Sequence, residues 1–338
     1  MPEVNVAIAG ATGAVGEEFL RLLALRDYPI KSLKLLASAR SAGKKLKFKG
    51  EDVVVEELKA DSFEGIEHAF FSAGGGISKE FAPHAAKAGA IIIDNTSAFR
   101  YEPEIPLVIP EINPDDAFNY GERRIVANPN CTTIVSLLPM YPLHKEFGLK
   151  RAIMSSYQAI SGAGAQAMEE LQQQMRDWAA GKELTVKHQP KQIAFNVIPR
   201  IDAVQDNAYT KEEMKFLWEG QKIMHHANLR ATATCVRVPV LRSHAVSLNL
   251  EFDKPCTPDQ AREILAKAPG VVVQDDPSNE VYPMPLERTL KDEIAVGRIR
   301  QDISVDDNRG LCVWAVGDQV MKGAALNAVQ IGELLLSR

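Results

Sequence analysis

Cysteine is scarce in this chain: there are four, Cys131, Cys235, Cys256 and Cys312, far apart and without a CxxC pair. That spacing indicates neither a disulfide framework nor a zinc site, and His225-His226 is no metal motif either. Long apolar runs are also missing. None approaches the roughly 18 residues of a membrane span, and Met1-Pro2-Glu3-Val4 lacks the basic start of a secretory signal, so a cytoplasmic protein is expected. Nor is there an excess of positive charge. A formal net charge of -5 argues against a large nucleic-acid surface, and the cluster Lys44, Lys45, Lys47 and Lys49 reads as the solvated face of a hairpin. Neither an internal repeat nor a low-complexity tract is present. What remains is a soluble globular composition, 46% hydrophobic and 25% charged, and 338 residues are enough for two domains.

The first half alternates strands and helices. Val4 to Ala9 suits a buried strand and leads directly into Gly10-Ala11-Thr12-Gly13-Ala14-Val15-Gly16, after which Val15, Phe19, Leu22 and Leu23 recur at helical spacing. Glycines at 10, 13 and 16 let the backbone turn tightly and approach a pyrophosphate, which the helix N-terminus stabilises. The spacing is GxxGxxG rather than GxGxxG. After the next strand, Leu33 to Ala37, an NAD site usually carries a carboxylate for the ribose 2′-hydroxyl. Here Ser38, Arg40 and Ser41 stand in its place; a guanidinium flanked by hydroxyls suits a 2′-phosphate, so NADP is the expected cofactor. Strands are expected at Val53 to Glu56, His68 to Ala73 and Ala90 to Asn95, with a helix from Ile77 to Ala88. The Gly74-Gly75-Gly76 turn permits close approach to a flat ligand, and Arg100 follows the last of these strands as a clamp for an anionic group.

Between the strand Arg124 to Ala127 and the apolar stretch Ile134 to Leu143 lies Asn128-Pro129-Asn130-Cys131-Thr132. A helix beginning here puts the Cys131 thiol where unpaired N–H groups and the peptide dipoles favour an anion, which makes it a candidate nucleophile. Asn130 offers an amide to a carbonyl oxygen under attack. Pro139 and Pro142 predict a kink or a stop in that helix.

The second half reads as an α+β domain. Ala152 to Gln158 is a strand, the small residues 161 to 164 (Ser161, Gly162, Ala163, Gly164) a turn with room for a cofactor ring or a second chain, and Ala165 to Ala180 a helix. Thr210 to Met224 is a second helix with a Thr210–Glu213 capping box, and Glu219 and Lys222 share one of its faces. Strands from Ala231 to Val238 and Ser243 to Leu250 alternate, and a turn between them brings Arg237 and His244 to one end of a sheet. Further strands are expected near Val271, Ala295 and Leu311, and a single apolar helix from Met321 to Leu336 that returns to the first domain.

Taken together, Gly10 to Gly16, Ser97-Ala98-Phe99-Arg100, Asn128 to Thr132, Gln158 to Gly162, Glu219 with Lys222, Arg237 to His244, and Gly317 to Ala325 resemble the aspartate-semialdehyde dehydrogenase family, in order and nearly end to end. The resemblance implies an α/β fold: a Rossmann-type NADP-binding domain, 1–128 with 318–338, and an α+β catalytic and dimerisation domain, 129–317, with a mixed or antiparallel sheet. It implies NADPH-dependent conversion of L-aspartyl 4-phosphate to L-aspartate 4-semialdehyde and phosphate, a step toward lysine (through diaminopimelate), methionine, threonine and isoleucine. It further implies a homodimer, with a tetramer as the alternative.

By this resemblance Cys131 is the nucleophile, His244 the acid/base and Gln158 the group that orients the acyl carbon. Arg237 holds the substrate α-carboxylate and Glu219 its ammonium, while Arg100, Asn130 and Lys222 bind phosphate. Gly10, Thr12, Gly13, Ala14, Val15, Gly16, Ser38, Arg40, Ser41, Ser72, Ala73, Gly74, Gly75, Ser161, Gly162 and Gln319 line the NADP site. Gln319 departs from the family, where Asn is expected. An enzyme resembling N-acetyl-glutamyl-phosphate reductase, which favours Gly before the cysteine, and a catalytically silent NADP-binding relative are the alternative readings.

Overall fold

The computed structural model describes residues 2–337. The chain divides into two compact units, one running to Asn130 and resuming at Ala324, the other Cys131–Gly323. The expected boundaries, after 128 and 317, fall slightly earlier.

In the first unit, β1 (Val4–Ala9), α1 (Ala14–Leu25), β2 (Ile30–Ala37), β3 (Lys45–Phe48), β4 (Glu51–Glu57), β5 (His68–Phe71), α2 (Gly75–Lys87), β6 (Ile91–Asp94) and β7 (Ile125–Ala127) follow in order. They build a seven-stranded sheet, β3-β4-β2-β1-β5-β6-β7. Every pairing is parallel except the β3–β4 hairpin. Val6 to Ala9 and His68 to Phe71 are buried without alternation, as strands covered on both faces require. Strand order reverses at β1, and the carboxyl ends of β1 and β5 flank the crevice where such sheets bind ligands. The lysine cluster behaves as a solvated hairpin face: Lys47 pairs with Asp52 at 2.8 Å and Lys49 with Asp27 at 3.2 Å.

The second unit comprises α3 (Cys131–Phe147), β8 (Leu149–Gln158), α4 (Ala165–Ala179), α5 (Lys211–Ile223), β9 (Arg230–Arg237), β10 (His244–Phe252), α6 (Pro258–Leu265), β11 (Val271–Val273), α7 (Pro285–Arg288), β12 (Ile294–Gln301) and β13 (Gly310–Gly317). Its six-stranded sheet, β11-β12-β13-β10-β8-β9, is mixed: β8–β9 and β11–β12 are parallel and the rest antiparallel. Of the kink or stop expected at Pro139 and Pro142, the stop does not occur: helix α3 continues through both to Phe147. Ile134, Val135, Leu137, Leu138, Met140 and Leu143 along it are all buried. At roughly 1.5–3 kcal/mol per side chain, that burial outweighs the ~3 kcal/mol that an internal proline costs. Helix α5 starts with the expected capping box.

The C-terminal segment also departs from expectation. A π-helical turn, Met321–Ala325, precedes α8 (Leu326–Leu336), which packs on α1 and β6 of the first unit and is tied there by an Arg26–Glu333 fork with both contacts at 2.7 Å.

Candidate active site

In the second unit three strand ends supply the polar groups. Gln158 closes β8, Arg237 closes β9 directly opposite it, and His244 opens β10 on the other side of β8. Arg237 and His244 therefore share one end of the sheet as expected, but β8 lies between their strands. The peptide of Ala159 fixes both: its N–H donates to His244 Nδ1 at 3.1 Å, and its carbonyl accepts from Arg237 Nη1 at 2.8 Å. Burial, and after it the Arg237 charge, push the His244 imidazole down to about 3. Its Nε2 is buried without a hydrogen-bond partner among the described residues. Gly162 leaves the space beside these two side chains open, since a Cβ there would stand 2.9 Å from Arg237 Nη1 and 3.4 Å from His244 Nε2.

Cys131 is the first residue of α3, so the sulfur does sit at a helix start. Its Sγ lies 4.0 Å from Thr132 Oγ1. Its charged form and the Arg237 guanidinium attract one another. Gly323 packs against it: an added Cβ would meet Cys131 Cβ at 2.9 Å. Cys235, by contrast, is buried, and that burial pushes its thiol up to about 12, which leaves it an inert thiol.

Gln158 is held at both ends of its amide. Its Oε1 accepts from Ser156 Oγ at 2.9 Å and its Nε2 donates to Glu212 Oε1 at 3.1 Å. Glu212, absent from the sequence-based set, is a 6% exposed carboxylate in the first turn of α5. On the same helix Glu219 is fully buried and Lys222 half-buried, which rules out an ordinary solvated pair for Glu219. Gln319 accepts the Ser243 N–H at 2.8 Å through Oε1 and donates to Ser161 Oγ through Nε2. The departure from Asn thus keeps an amide that spans two loops.

In the first unit the glycine turn has the expected geometry. Gly10 adopts φ +92°, and a Cβ there would meet Ser72 O at 2.6 Å; one on Gly16 would meet Gly10 O at 2.2 Å. Gly13 precedes α1, whose first residues are Ala14 and Val15, and no side chain caps its N-terminus. These features fit a backbone that closely approaches a phosphate. Thr12 Oγ1 donates to Ser41 Oγ at 3.4 Å, while Ser38 and Arg40 are exposed at the end of β2. Ser72 and Ala73 follow β5, Gly74 takes φ +97° and α2 begins at Gly75.

Arg100 and Asn130 are both buried, and Arg100 Nη2 donates to Asn95 O at 3.0 Å. Asn128 Nδ2 donates to Asn95 Oδ1 and its Oδ1 accepts from Asn327 Nδ2, each at 2.7 Å; Asn327 Nδ2 also reaches Val108 O at 2.9 Å. This amide chain steadies the strand end that leads to Cys131. Sequence reasoning missed Asn327, although a polar residue inside an apolar helix was a signal.

Residues 5–120 match the model of the semialdehyde dehydrogenase NAD-binding domain and residues 140–322 that of the semialdehyde dehydrogenase dimerisation domain. The chain is 50% identical to an aspartate-semialdehyde dehydrogenase of Aquifex aeolicus, over 98% of each chain. It is likewise 50% identical to one of Synechocystis, over 99% of this chain and 98% of the other. Among solved structures, aspartate semialdehyde dehydrogenase II of Vibrio cholerae complexed with ASA is 43% identical, with TM-score 0.96 over 100% of this chain and 99% of that one. With its two matched domains and full-length likeness, the chain belongs to the aspartate-semialdehyde dehydrogenase family.

Proposed function

We propose that this protein catalyses the NADPH-dependent reductive dephosphorylation of L-aspartyl 4-phosphate to L-aspartate 4-semialdehyde and phosphate. The observation that carries the reading is a cysteine at a helix start, electrostatically coupled to a buried Arg237 whose neighbours at the sheet end are Gln158 and His244.

The Cys131 thiolate attacks the acyl carbon, the C–O bond to phosphate breaks, and a thioester results. NADPH, when bound, supplies the hydride that reduces this thioester, and Cys131 leaves again as a thiolate. His244 handles the proton on its Nε2 side beside the reacting oxygen and sulfur, and Gln158 orients the acyl group. Arg237 holds the α-carboxylate and Glu219 the ammonium. Arg100 and Asn130 in the first unit and Lys222 in the second serve the phosphate. Gly10, Thr12, Gly13, Ala14, Val15, Gly16, Ser38, Arg40, Ser41 and the Ser72 to Gly75 turn of the first unit, and Ser161, Gly162 and Gln319 of the second, are assigned to NADP. The absence of a carboxylate at positions 38–41 supports NADP over NAD.

The homodimer is assigned to the second unit's sheet, where Tyr157, 41% exposed, stands 5.3 Å from Trp314, ring to ring. A cytoplasmic location is consistent with helices of which none, among the described residues, is long and apolar enough to cross a membrane. The test is phosphate-dependent NADPH formation from aspartate semialdehyde, assayed beside N-acetylglutamate semialdehyde. Activity on the first substrate and its loss in Cys131→Ser are expected. Normal turnover by that variant would exclude the covalent route, and preference for the acetylated substrate would overturn the substrate assignment.

A further inference from the structure

We infer that Asp94 is a positioning residue for two subsites at once: its buried carboxylate joins the loop that presents Arg100 to the first turn of α2, so that one side chain governs both the grip on phosphate and the approach of the backbone to NADP. The inference rests on the roles proposed for Arg100 and for the Ser72 to Gly75 turn.

Asp94 ends β6, level with Phe71 at the end of β5 and with Ala127 at the end of β7. It follows Ile92 and Ile93, which are buried as a strand covered on both faces requires. Asp94 itself is 0% exposed. A carboxylate there is costly unless its oxygens are fully bonded.

Three donors reach those oxygens from two directions. Ser78 Oγ donates to Oδ1 at 3.0 Å, the Thr96 N–H donates to the same oxygen at 3.0 Å, and Thr96 Oγ1 donates to Oδ2 at 2.9 Å. Ser78 lies in the first turn of α2, and its own N–H closes that turn on Gly74 O at 3.0 Å. Anchoring Ser78 therefore fixes where the start of α2 aims its N–H groups. On the other side Thr96 Oγ1 accepts the Ala98 N–H at 3.2 Å, and Arg100 Nη2 returns to Asn95 O at 3.0 Å. The guanidinium is thus folded over a loop whose curl the carboxylate sets. The two halves also touch, since a Cβ on Gly75 would lie 3.9 Å from Ala98 Cβ.

Burial pushes the Asp94 carboxyl up from the ordinary carboxylate range, and the bonds from Thr96 and Ser78 and the Arg100 charge work against that rise. Three hydrogens aimed at two oxygens call for a group that only accepts. Asparagine has a single oxygen, so its NH2 would face either Thr96 Oγ1 or the pair of donors at Oδ1. It also removes the negative charge that attracts Arg100. A carboxylate that merely held the fold together would lower stability and depress every kinetic constant alike. Here the two arms serve different ligands and can be cut one at a time.

The experiment measures KM for phosphate and for aspartate semialdehyde in the phosphate-dependent direction, beside the Kd for NADPH from fluorescence titration. Asp94→Asn should raise the phosphate KM and the NADPH Kd about tenfold each, with the semialdehyde KM changed less than about threefold. Ser78→Ala cuts the α2 arm and should weaken NADPH about threefold or more while the phosphate KM stays. Thr96→Val cuts the loop arm and should do the reverse, and Thr96→Ser, which keeps the hydroxyl, should restore the phosphate KM. If Asp94→Asn does not fold, the Ser78 and Thr96 variants decide the matter by the same split. Equal effects of Ser78→Ala and Thr96→Val on both ligands, or an Asp94→Asn variant with wild-type constants, would overturn the inference. Should the wild-type protein fail to turn over aspartate semialdehyde, the proposed function falls, whereas the NADPH titrations still decide whether Asp94 acts on the cofactor turn through Ser78.

Discussion

His244 accepts the backbone N–H of Ala159 at its Nδ1, 3.1 Å away, so a neutral ring carries its hydrogen on Nε2. A nitrogen that already bears a hydrogen donates; it does not abstract. His244→Ala should lower kcat by about 10²–10⁴-fold, and His244→Gln, which retains an N–H near the Nε2 position, should recover at least about tenfold of that loss. Equal losses in steady-state kinetics would show that transfer of the proton, and not donation of a hydrogen bond, is what the site requires. Because burial and Arg237 hold the ring down to about 3, kcat should show no ionisation of His244 between about pH 5 and 8.

Gly323 is required by the nucleophile's own bulk. A methyl group there would come within 2.9 Å of Cys131 Cβ and 3.3 Å of its Cα, backbone that cannot swing aside. Gly323→Ala should displace the sulfur and reduce kcat by about 10- to 100-fold. A variant with unchanged kcat would show that α3 can yield locally.

Buried His68 predicts an acid-sensitive fold. Its Nδ1 is bound to Tyr28 Oη at 2.6 Å, and burial pushes it down to about 4, with Glu67 opposing. The unfolded chain protonates this histidine below about pH 6.5 while the folded protein leaves it neutral down to about pH 4. Stability is therefore full above that upper value and falls, by about 1.4 kcal/mol per pH unit, as the pH drops through the window. Urea unfolding from pH 7 to 4 should show a shallower slope in His68→Gln, although that variant starts lower. An unaltered slope would assign the acid sensitivity elsewhere.

Arg40, exposed after β2, is the group proposed to read the ribose phosphate. Arg40→Glu should raise KM for NADPH far more than KM for the semialdehyde, because a carboxylate repels the 2′-phosphate. An equal rise in both would discredit the assignment.

Backbone requirements were the legible part of this molecule. Gly10 and Gly16 could be read because positions that must avoid a Cβ admit one residue type, and the Thr210–Glu213 box because it is local. That helix α3 does not stop at Pro139 and Pro142 was not legible, since the burial that sustains it comes largely from strands distant in sequence. Glu212 went unnoticed for a related reason. A glutamate in a first helical turn looks like an ordinary dipole partner until β8 brings Gln158 against it. The π turn at Met321–Ala325 has no periodicity of its own and hides inside an apolar helix pattern.

The amides of Asn95, Asn128 and Asn327 join hands across the strand end before Cys131 with no ionisable member among them. Acid that reaches His68 leaves this brace untouched, so the sulfur's approach and the fold's acid tolerance can be altered separately.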